Sequence, residues 1–284
     1  MSLRTARFRA VPIVLRNAPS ARLLGDMARI LITNDDGIDA PGISALAHSV
    51  ADLGHDVVMA APLHESSGSG AAIGYLSHGV DIRIEARRFE TIDHIPAFGV
   101  EGPPARCVFL AFLGAFGDKP DLVLSGVNPG LNTGRGLLHS GTVGAVLAAA
   151  DFGISGMALS LDLGADGGAR WATATEVARR ALPVLEAAPR KTALNVNIPD
   201  LDFADLRGVR QARISAFGPS STSVVEVEPG LLRVVVTPRE VTLKPDTDTA
   251  LVADGYVAVT SLVSPRAVDP GDAPDRLAAA LGIG

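Results

Sequence analysis

Two adjacent aspartates, Asp35 and Asp36, directly follow an apolar run over residues 29–33 that has the composition of a buried strand. Neighbouring carboxylates repel each other, and a plain surface turn does not need both. A divalent cation turns this repulsion into a binding site, because its charge compensates both carboxylates. The pair therefore predicts a metal site at a strand end, whereas an Asp-Gly step between apolar runs is also typical of a hairpin.

Two further loops carry oxygen-bearing side chains after strand-like runs. One is the Ser/Gly-rich stretch 66–70, which follows the apolar run 56–61, and the other is the Gly/Asn-rich stretch 125–136. Ligands of open parallel sheets bind outside the carboxyl ends of the strands, so the three loops can meet at one rim. Carboxylate, hydroxyl and amide oxygens together suit Mg²⁺ or Mn²⁺.

Some of these features also have purely structural interpretations. Asn128 and Asn132 lie in a Gly-rich loop, where asparagine is typical of turns. The sequence Ser140-Gly141-Thr142 precedes a helix of small residues, so its free amides could bind a phosphate or its hydroxyls could simply cap the helix. The glycines near residue 70 are spaced G-x-G-x-x-x-G, which departs from the dinucleotide fingerprint and argues against an NAD(P) site.

The elements that must position these loops alternate between apolar strands and helical patterns. After the first strand, Pro41 and the spacing of apolar residues predict a helix, with Asp39 as its N-cap. Helices over 142–150 and 171–187 and strands over 121–126, 157–161 and 193–199 continue the alternation. This pattern predicts an α/β fold with a mostly parallel sheet and helices on both faces.

The segment after residue 205 has a different character. Residues 223–240 predict a β-hairpin that turns at Pro229-Gly230, followed by a strand over 255–262 and a closing helix over 272–281. We therefore predict a core over 27–204 and a C-terminal appendage over 205–284. Residues 1–26 are arginine-rich without an acid before Asp26, and we expect a disordered extension or a natural start at Met27.

Composition narrows the possible partners. A net charge of −6 over 284 residues argues against a long basic groove for a nucleic-acid polymer. No stretch is long and apolar enough to span a membrane, so no membrane partner is expected. The single cysteine, Cys107, allows no intrachain disulfide and no multi-cysteine metal cluster, which is consistent with a reducing cytoplasm.

Six segments, in this order along residues 30–262, resemble the SurE family: ILITNDDGIDAPGI, APLHESSGSG, LVLSGVNPGLNTG, LLHSGTVGA, LNVNIP and DGYVAVTSL. Proteins of this family are divalent-metal-dependent 5′/3′-nucleotidases that hydrolyse nucleoside monophosphates. The resemblance implies a Rossmann-like core with a C-terminal β-hairpin/helix appendage that builds homodimers or homotetramers. It also implies an enzyme with a small phosphomonoester substrate, and together with the single cysteine we expect a cytoplasmic location.

The resemblance further implies roles for individual residues. One divalent cation per subunit, Mg²⁺ or Mn²⁺, would be bound by Asp35, Asp36, Ser67 and Asn128. The phosphate would be surrounded by Asn132, Ser140, Gly141 and Thr142. Our own mechanistic hypothesis is that Asp36 also positions or deprotonates the attacking water, because a ligand's free carboxylate oxygen can accept its hydrogen bond.

Three positions depart from the usual family pattern. Leu63-His64 stand where Asp-Arg or a similar pair is common, Arg106 replaces an acid, and Arg135-Gly136 lie near another acid that is missing. None of these changes removes an expected metal ligand, so hydrolysis should survive them. They leave substrate preference and assembly open, and the alternative function is a non-catalytic or altered-substrate nucleotide- or phosphate-binding protein on the same fold.

Overall fold

The computed structural model describes residues 27–164, 167–216, 220–238 and 242–265, together with residues 276, 280 and 281. The strands are β1 (Arg29–Thr33), β2 (Asp56–Pro62), β3 (Ile84–Arg87), β4 (Ala97–Val100), β5 (Leu122–Pro129), β6 (Ser155–Leu161), β7 (Ala193–Ile198), β8 (Val209–Gln211), β9 (Ser220–Glu228), β10 (Leu231–Pro238) and β11 (Val257–Leu262). The helices are α1 (Pro41–Ala51), α2 (Pro104–Phe112), α3 (Gly141–Asp151), α4 (Trp171–Ala187) and α5 (Asp248–Ala253). Among the described helices, none has the length and apolar character needed to cross a membrane.

Nine strands form one sheet in the order β3-β4-β2-β1-β5-β6-β7-β11-β8. The strands from β4 to β7 in this order run parallel, whereas β3 at one edge and β11 near the other are antiparallel to their neighbours β4 and β7. The predicted α/β fold with a mostly parallel sheet is therefore confirmed.

Strand β1 shows why both faces of the sheet are covered. Ile30 and Ile32 pack into the apolar layer that includes α1 and α4, and Leu31 packs into the layer that includes α2. All three side chains are fully buried. Alternate residues of a strand point to opposite faces, so a run that is apolar throughout requires a helical layer on each side.

Several predicted elements match the structure closely. Helix α4 has the predicted bounds, and the hairpin of β9 and β10 turns at Pro229-Gly230 as expected. The N-cap of α1 was predicted wrongly, because Ala40 takes this position in an extended conformation and makes no side-chain cap. Asp39 instead lies near the guanidinium of Arg87, at 3.6 Å.

The sequence analysis missed β3, β4 and α2. Strands β3 and β4 have only four residues each, and β3 carries two charged side chains at the sheet edge. Helix α2 begins at Pro104, with Pro103 as its N-cap, so its start resembles a loop in sequence. Proline is compatible with the first helical position, since the amide it lacks has no partner there.

The C-terminal part divides between the main sheet and a projecting hairpin. Strands β8 and β11 join the main sheet, whereas β9 and β10 pair only with each other among the described strands. We call this hairpin, residues 220–238, the arm. The closing helix predicted over 272–281 lies mostly outside the described residues.

Asp248, the first residue of α5, connects the chain on either side of the arm to the core. Its buried carboxylate accepts hydrogen bonds from the backbone amides of Gly134 at 2.9 Å, Ser215 at 2.9 Å and Thr249 at 2.8 Å. Three amides satisfy a carboxylate that burial would otherwise penalise. The segments that lead into and out of the arm are thereby held beside the loop that precedes α3.

Candidate metal and phosphate site

The three oxygen-rich loops leave the sheet at the same edge. Strand β1 lies between β2 and β5, and it is parallel to both. Thr33, the last residue of β1, is in register with Ser125 of β5. The loops that follow β1, β2 and β5 therefore start side by side at the carboxyl ends of the strands, where open parallel sheets bind ligands.

Asp35 is held against the start of α3. Its carboxylate accepts a hydrogen bond from the amide of Gly141 at 3.1 Å and another from the hydroxyl of Thr142 at 2.5 Å. A side chain at Gly141 would collide with Asp35, because its Cβ would lie 2.7 Å from the Cβ of the aspartate. The structure therefore brings three of the expected site residues into direct contact.

The start of α3 combines the two interpretations that the sequence left open. The hydroxyl of Ser140 accepts a hydrogen bond from the amide of Val143 at 3.1 Å, so Ser140 caps the helix. The Gly141 amide is used by Asp35, but within the described part of the chain the Thr142 amide has no partner. That amide can donate to an anion, which the positive end of the helix dipole also favours.

Asp36 lies in a less favourable environment. Its Oδ2 is buried and has no hydrogen-bond partner among the described residues. Burial of the carboxyl, with repulsion from Asp35 and Glu65, raises the pKa of Asp36 from 3.8 to about 7. A bound cation would relieve both the repulsion and the missing hydrogen bond.

Other buried oxygens at this edge also lack partners in the described structure, namely Asn34 Oδ1, Ser69 Oγ and Ser125 Oγ. No cluster of three or more histidine, cysteine or acidic side chains suitable for a metal occurs among the described residues. Hydroxyl and amide oxygens would therefore have to complete the coordination of a cation at the aspartate pair. This donor chemistry fits a hard divalent cation.

The loop after β2 is anchored to the aspartates by its backbone. The amide of Ser66 donates to the carbonyl of Asp35 at 2.7 Å. The expected ligand Ser67 is exposed, and its hydroxyl donates to Glu65 at 3.0 Å. The sequence analysis missed Ser69, whose hydroxyl lies beside the Asp35 carboxylate, both within 2.8 Å of the Cβ position of Gly141.

The asparagines of the third loop occupy different positions. Asn128, the expected ligand, uses its Nδ2 to donate to the carbonyl of Gly130 at 2.7 Å, which leaves its Oδ1 for another partner. Asn132 lies beside the neighbouring strand β6, where its Nδ2 donates a hydrogen bond to Ser160 at 2.8 Å. The backbone carbonyl of Asn132 accepts from Asn195 and Asn197, so β6 and β7 fix this residue.

The side chain of Arg106, on α2, forms hydrogen bonds that hold the loop after β2 in place. Its guanidinium donates to the carbonyls of Ile73 at 2.7 Å, Glu101 at 2.8 Å and Tyr75 at 3.4 Å. One side chain thus links that loop to the turn that follows β4. Arg106, which replaces an acid that the family pattern led us to expect, therefore has a structural role. In the sequence, only this departure from the family pattern pointed to the residue.

The fold and this edge define an α/β protein with a cation- and phosphate-compatible site at the carboxyl ends of a parallel sheet. The model of the family described as survival protein SurE matches residues 30–218, and the chain belongs to this family. This confirms the resemblance found in the sequence.

Known relatives cover most of the chain. A protein from Yersinia enterocolitica named 5′/3′-nucleotidase SurE is 34% identical over 83% of this chain and 91% of the relative. A protein of the same name from Erwinia tasmaniensis is 35% identical over 82% of this chain and 89% of the relative. The crystal structure of the SurE protein from Aquifex aeolicus matches with a TM-score of 0.71 at 28% identity, covering 89% of this chain and 99% of that one.

Proposed function

We propose that the protein is a divalent-cation-dependent 5′/3′-nucleotidase that hydrolyses nucleoside monophosphates to a nucleoside and phosphate. The observation that carries the proposal is the buried, unpartnered Oδ2 of Asp36 beside an Asp35 carboxylate fixed at the start of α3. Membership of a family whose relatives are named 5′/3′-nucleotidase supports the same activity.

The proposed ligands of one Mg²⁺ or Mn²⁺ per subunit are Asp35, Asp36, Ser67 and Asn128. When bound, the cation supplies polarisation of a phosphoryl oxygen and increases the acidity of a nearby water. Asp35 is already oriented for this role by Gly141 and Thr142. The hydroxyl of Ser69 is a further oxygen at the same point.

Residues of the chain provide the remaining chemistry. In the proposed mechanism the Thr142 amide donates to a phosphate oxygen, with Ser140, Gly141 and Asn132 surrounding the group. Asp36 accepts the proton of the attacking water while the new P–O bond forms. The bond from phosphorus to the nucleoside oxygen breaks, and that oxygen takes a proton from solvent. This direct attack inverts the configuration at phosphorus, whereas a phosphoryl-aspartate route would retain it.

We also propose that the C-terminal part, 205–284, builds a homodimer or homotetramer through the arm. One face of the arm carries the exposed apolar side chains of Val224, Leu232, Val234 and Val236, with Thr222 and Glu226 beside them. An exposed apolar stripe of this kind is typical of an interaction surface. Light scattering after size-exclusion chromatography should show an oligomer that Val234→Asp reduces to a monomer.

The remaining expectations also belong to this proposal. Residues 27–204 form the catalytic core, and the substrate is a small phosphomonoester and no nucleic-acid polymer. A cytoplasmic location is consistent with Cys107, a buried free thiol that needs no oxidising compartment.

A phosphate-release assay tests the function. The metal-depleted protein is given Mn²⁺, Mg²⁺ or EDTA with nucleoside 5′- and 3′-monophosphates and with an aryl phosphate. We expect cation-dependent release that Asp36→Asn abolishes and that Asp93→Asn, an exposed aspartate before β4, leaves unchanged. No cation-dependent release from any substrate would favour the alternative, a nucleotide- or phosphate-binding protein without turnover.

A further inference from the structure

A cavity of about 480 Å³ opens beside the candidate site, between the loop after β2, the edge strand β3 and the turn that follows β4. It is lined by Leu63, His64, Ser66, Arg83, Glu85, Arg87, Glu101 and Gly102. The volume is within the usual range for small-molecule sites and is much larger than one phosphate needs. The cavity therefore has room for an organic group.

The cavity borders the aspartate loop at Ser66. This residue lines the cavity, and its amide donates to the Asp35 carbonyl at 2.7 Å. His64, two residues before Ser66, lies beside Gly37 of the aspartate loop. The carbonyl carbon of His64 is 3.6 Å from where a Cβ of Gly37 would be. A substrate whose phosphate is at the aspartates can therefore extend into the cavity.

Leu63 supplies the apolar side chain of the lining, and it packs against Gly99 of β4. Gly99 of β4 has no side chain, and the Leu63 Cδ2 occupies the space, 2.5 Å from where a Cβ of residue 99 would be. Glu85 is in register with Gly99 on the neighbouring strand. An apolar surface with polar groups at its side suits a flat ring that stacks and hydrogen-bonds at its edge.

The charges of the cavity compensate one another. Arg87 donates to Glu85 at 2.8 Å, and Arg83 lies 3.7 Å from the same carboxylate. Within the described residues, the Glu101 carboxylate makes no ion pair and can accept hydrogen bonds. Two arginines balanced by two glutamates give no net attraction for a second phosphate, but they offer donors and acceptors to a neutral ligand.

We infer that this cavity is the subsite that binds the nucleobase of the substrate, with the phosphate at the aspartate pair. The inference rests on the proposed nucleotidase function and identifies the part of the chain that selects the substrate. Leu63 and His64, which depart from the family pattern, line the subsite. Base selection is thus expected to be a property of this chain's own residues.

Steady-state kinetics with Mn²⁺ test the subsite by comparing substrates with and without a base. The substrates are the 5′-monophosphates of adenosine, guanosine, cytidine and uridine, with ribose 5-phosphate as the base-free reference. The variants are Glu101→Gln and Arg83→Gln, both at exposed side chains, and the control is Arg88→Gln, an exposed arginine outside the cavity.

In both cavity variants we expect KM to rise roughly fivefold to tenfold for at least one nucleoside monophosphate, which is the loss of about one hydrogen bond. The kcat for that substrate and all constants for ribose 5-phosphate should stay within about twofold of wild type, as should every constant of Arg88→Gln. Equal losses with ribose 5-phosphate, or unchanged KM for every nucleotide, would overturn the subsite.

Calorimetry with adenosine and guanosine, which carry no phosphate, separates this inference from the proposed function. Binding that Glu101→Gln weakens would support the base subsite even if no substrate released phosphate. Absence of nucleoside binding to the wild-type protein at millimolar concentration would overturn the subsite even if hydrolysis were observed.

Discussion

The substitution Asp36→Asn should stabilise the metal-free protein while it removes the response to metal. The Asp36 carboxyl is half-buried, its Oδ2 has no partner in the described structure, and Asp35 and Glu65 repel its charge. Replacing the charge with a neutral amide of nearly the same shape removes this penalty. Sites built for function often destabilise the fold in this way.

The size of the effect follows from the pKa. Burial and repulsion raise the pKa of Asp36 from 3.8 to about 7, which corresponds to roughly 4 kcal/mol at about 1.4 kcal/mol for each pKa unit. Partial exposure of the carboxyl to water screens the repulsion, and we expect roughly 2 kcal/mol. For a chain of this length that is a rise in Tm on the order of 4 °C.

The pH dependence has a defined sign. The folded protein holds the Asp36 proton more tightly than the unfolded chain does, so the free energy of unfolding decreases as pH rises from about 4 to about 7. The variant should therefore match wild type at pH 4 and exceed its stability at pH 8, where the penalty is complete.

Differential scanning fluorimetry in EDTA at pH 4, 6 and 8, repeated with Mn²⁺ at pH 8, measures these differences. Mn²⁺ at 100 times its dissociation constant should stabilise wild type by about 2.7 kcal/mol and leave Asp36→Asn unchanged. The matched control is Asp93→Asn, whose side chain is 83% exposed. If Asp36→Asn lowers Tm at pH 8 in EDTA, or if the control raises it equally, the reasoning about the aspartate pair is refuted.

Three further substitutions test other contacts. Asp35→Asn should weaken Mn²⁺ binding more than about tenfold by calorimetry, because it removes a charged ligand that two hydrogen bonds hold in place. Arg106→Ala should speed tryptic cleavage of the loop after β2, since three carbonyls lose their donor, and Arg106→Lys should fall between it and wild type. Gly144→Ala should cost at least about 2 kcal/mol in urea unfolding, because its Cβ would overlap a backbone carbonyl of that loop. Gly136→Ala, with no atom within 4 Å of its Cβ position, is the control and should leave stability nearly unchanged.

The central strands and long helices could be predicted from the sequence because their patterns are local. Strand β1 is apolar throughout, and α4 repeats its buried residues at helical spacing over 17 residues. Strands β3 and β4 are too short to show a period, and the two prolines at the start of α2 are also typical of a loop.

The sequence predicts which residue types form the site, but it does not predict how these residues contact one another. Two acids at a strand end indicate a cation, and the motifs indicate the family. The contact of Thr142 with Asp35 joins residues 107 positions apart, and it depends on how α3 crosses the edge of the sheet. The position of Ser69 beside the same carboxylate depends on that crossing too, so neither could be read from spacing along the chain.

Because of the buried carboxylate of Asp248, the contacts that hold the chain on both sides of the arm do not depend on the arm itself. Its oxygens bind the amide of Ser215 before the arm, the amide of Thr249 after the arm, and the amide of Gly134 in the loop that precedes α3, so both ends of the arm are held against the core. None of the three bonds involves a residue of the arm, so changes in the length or sequence of the arm can leave them intact.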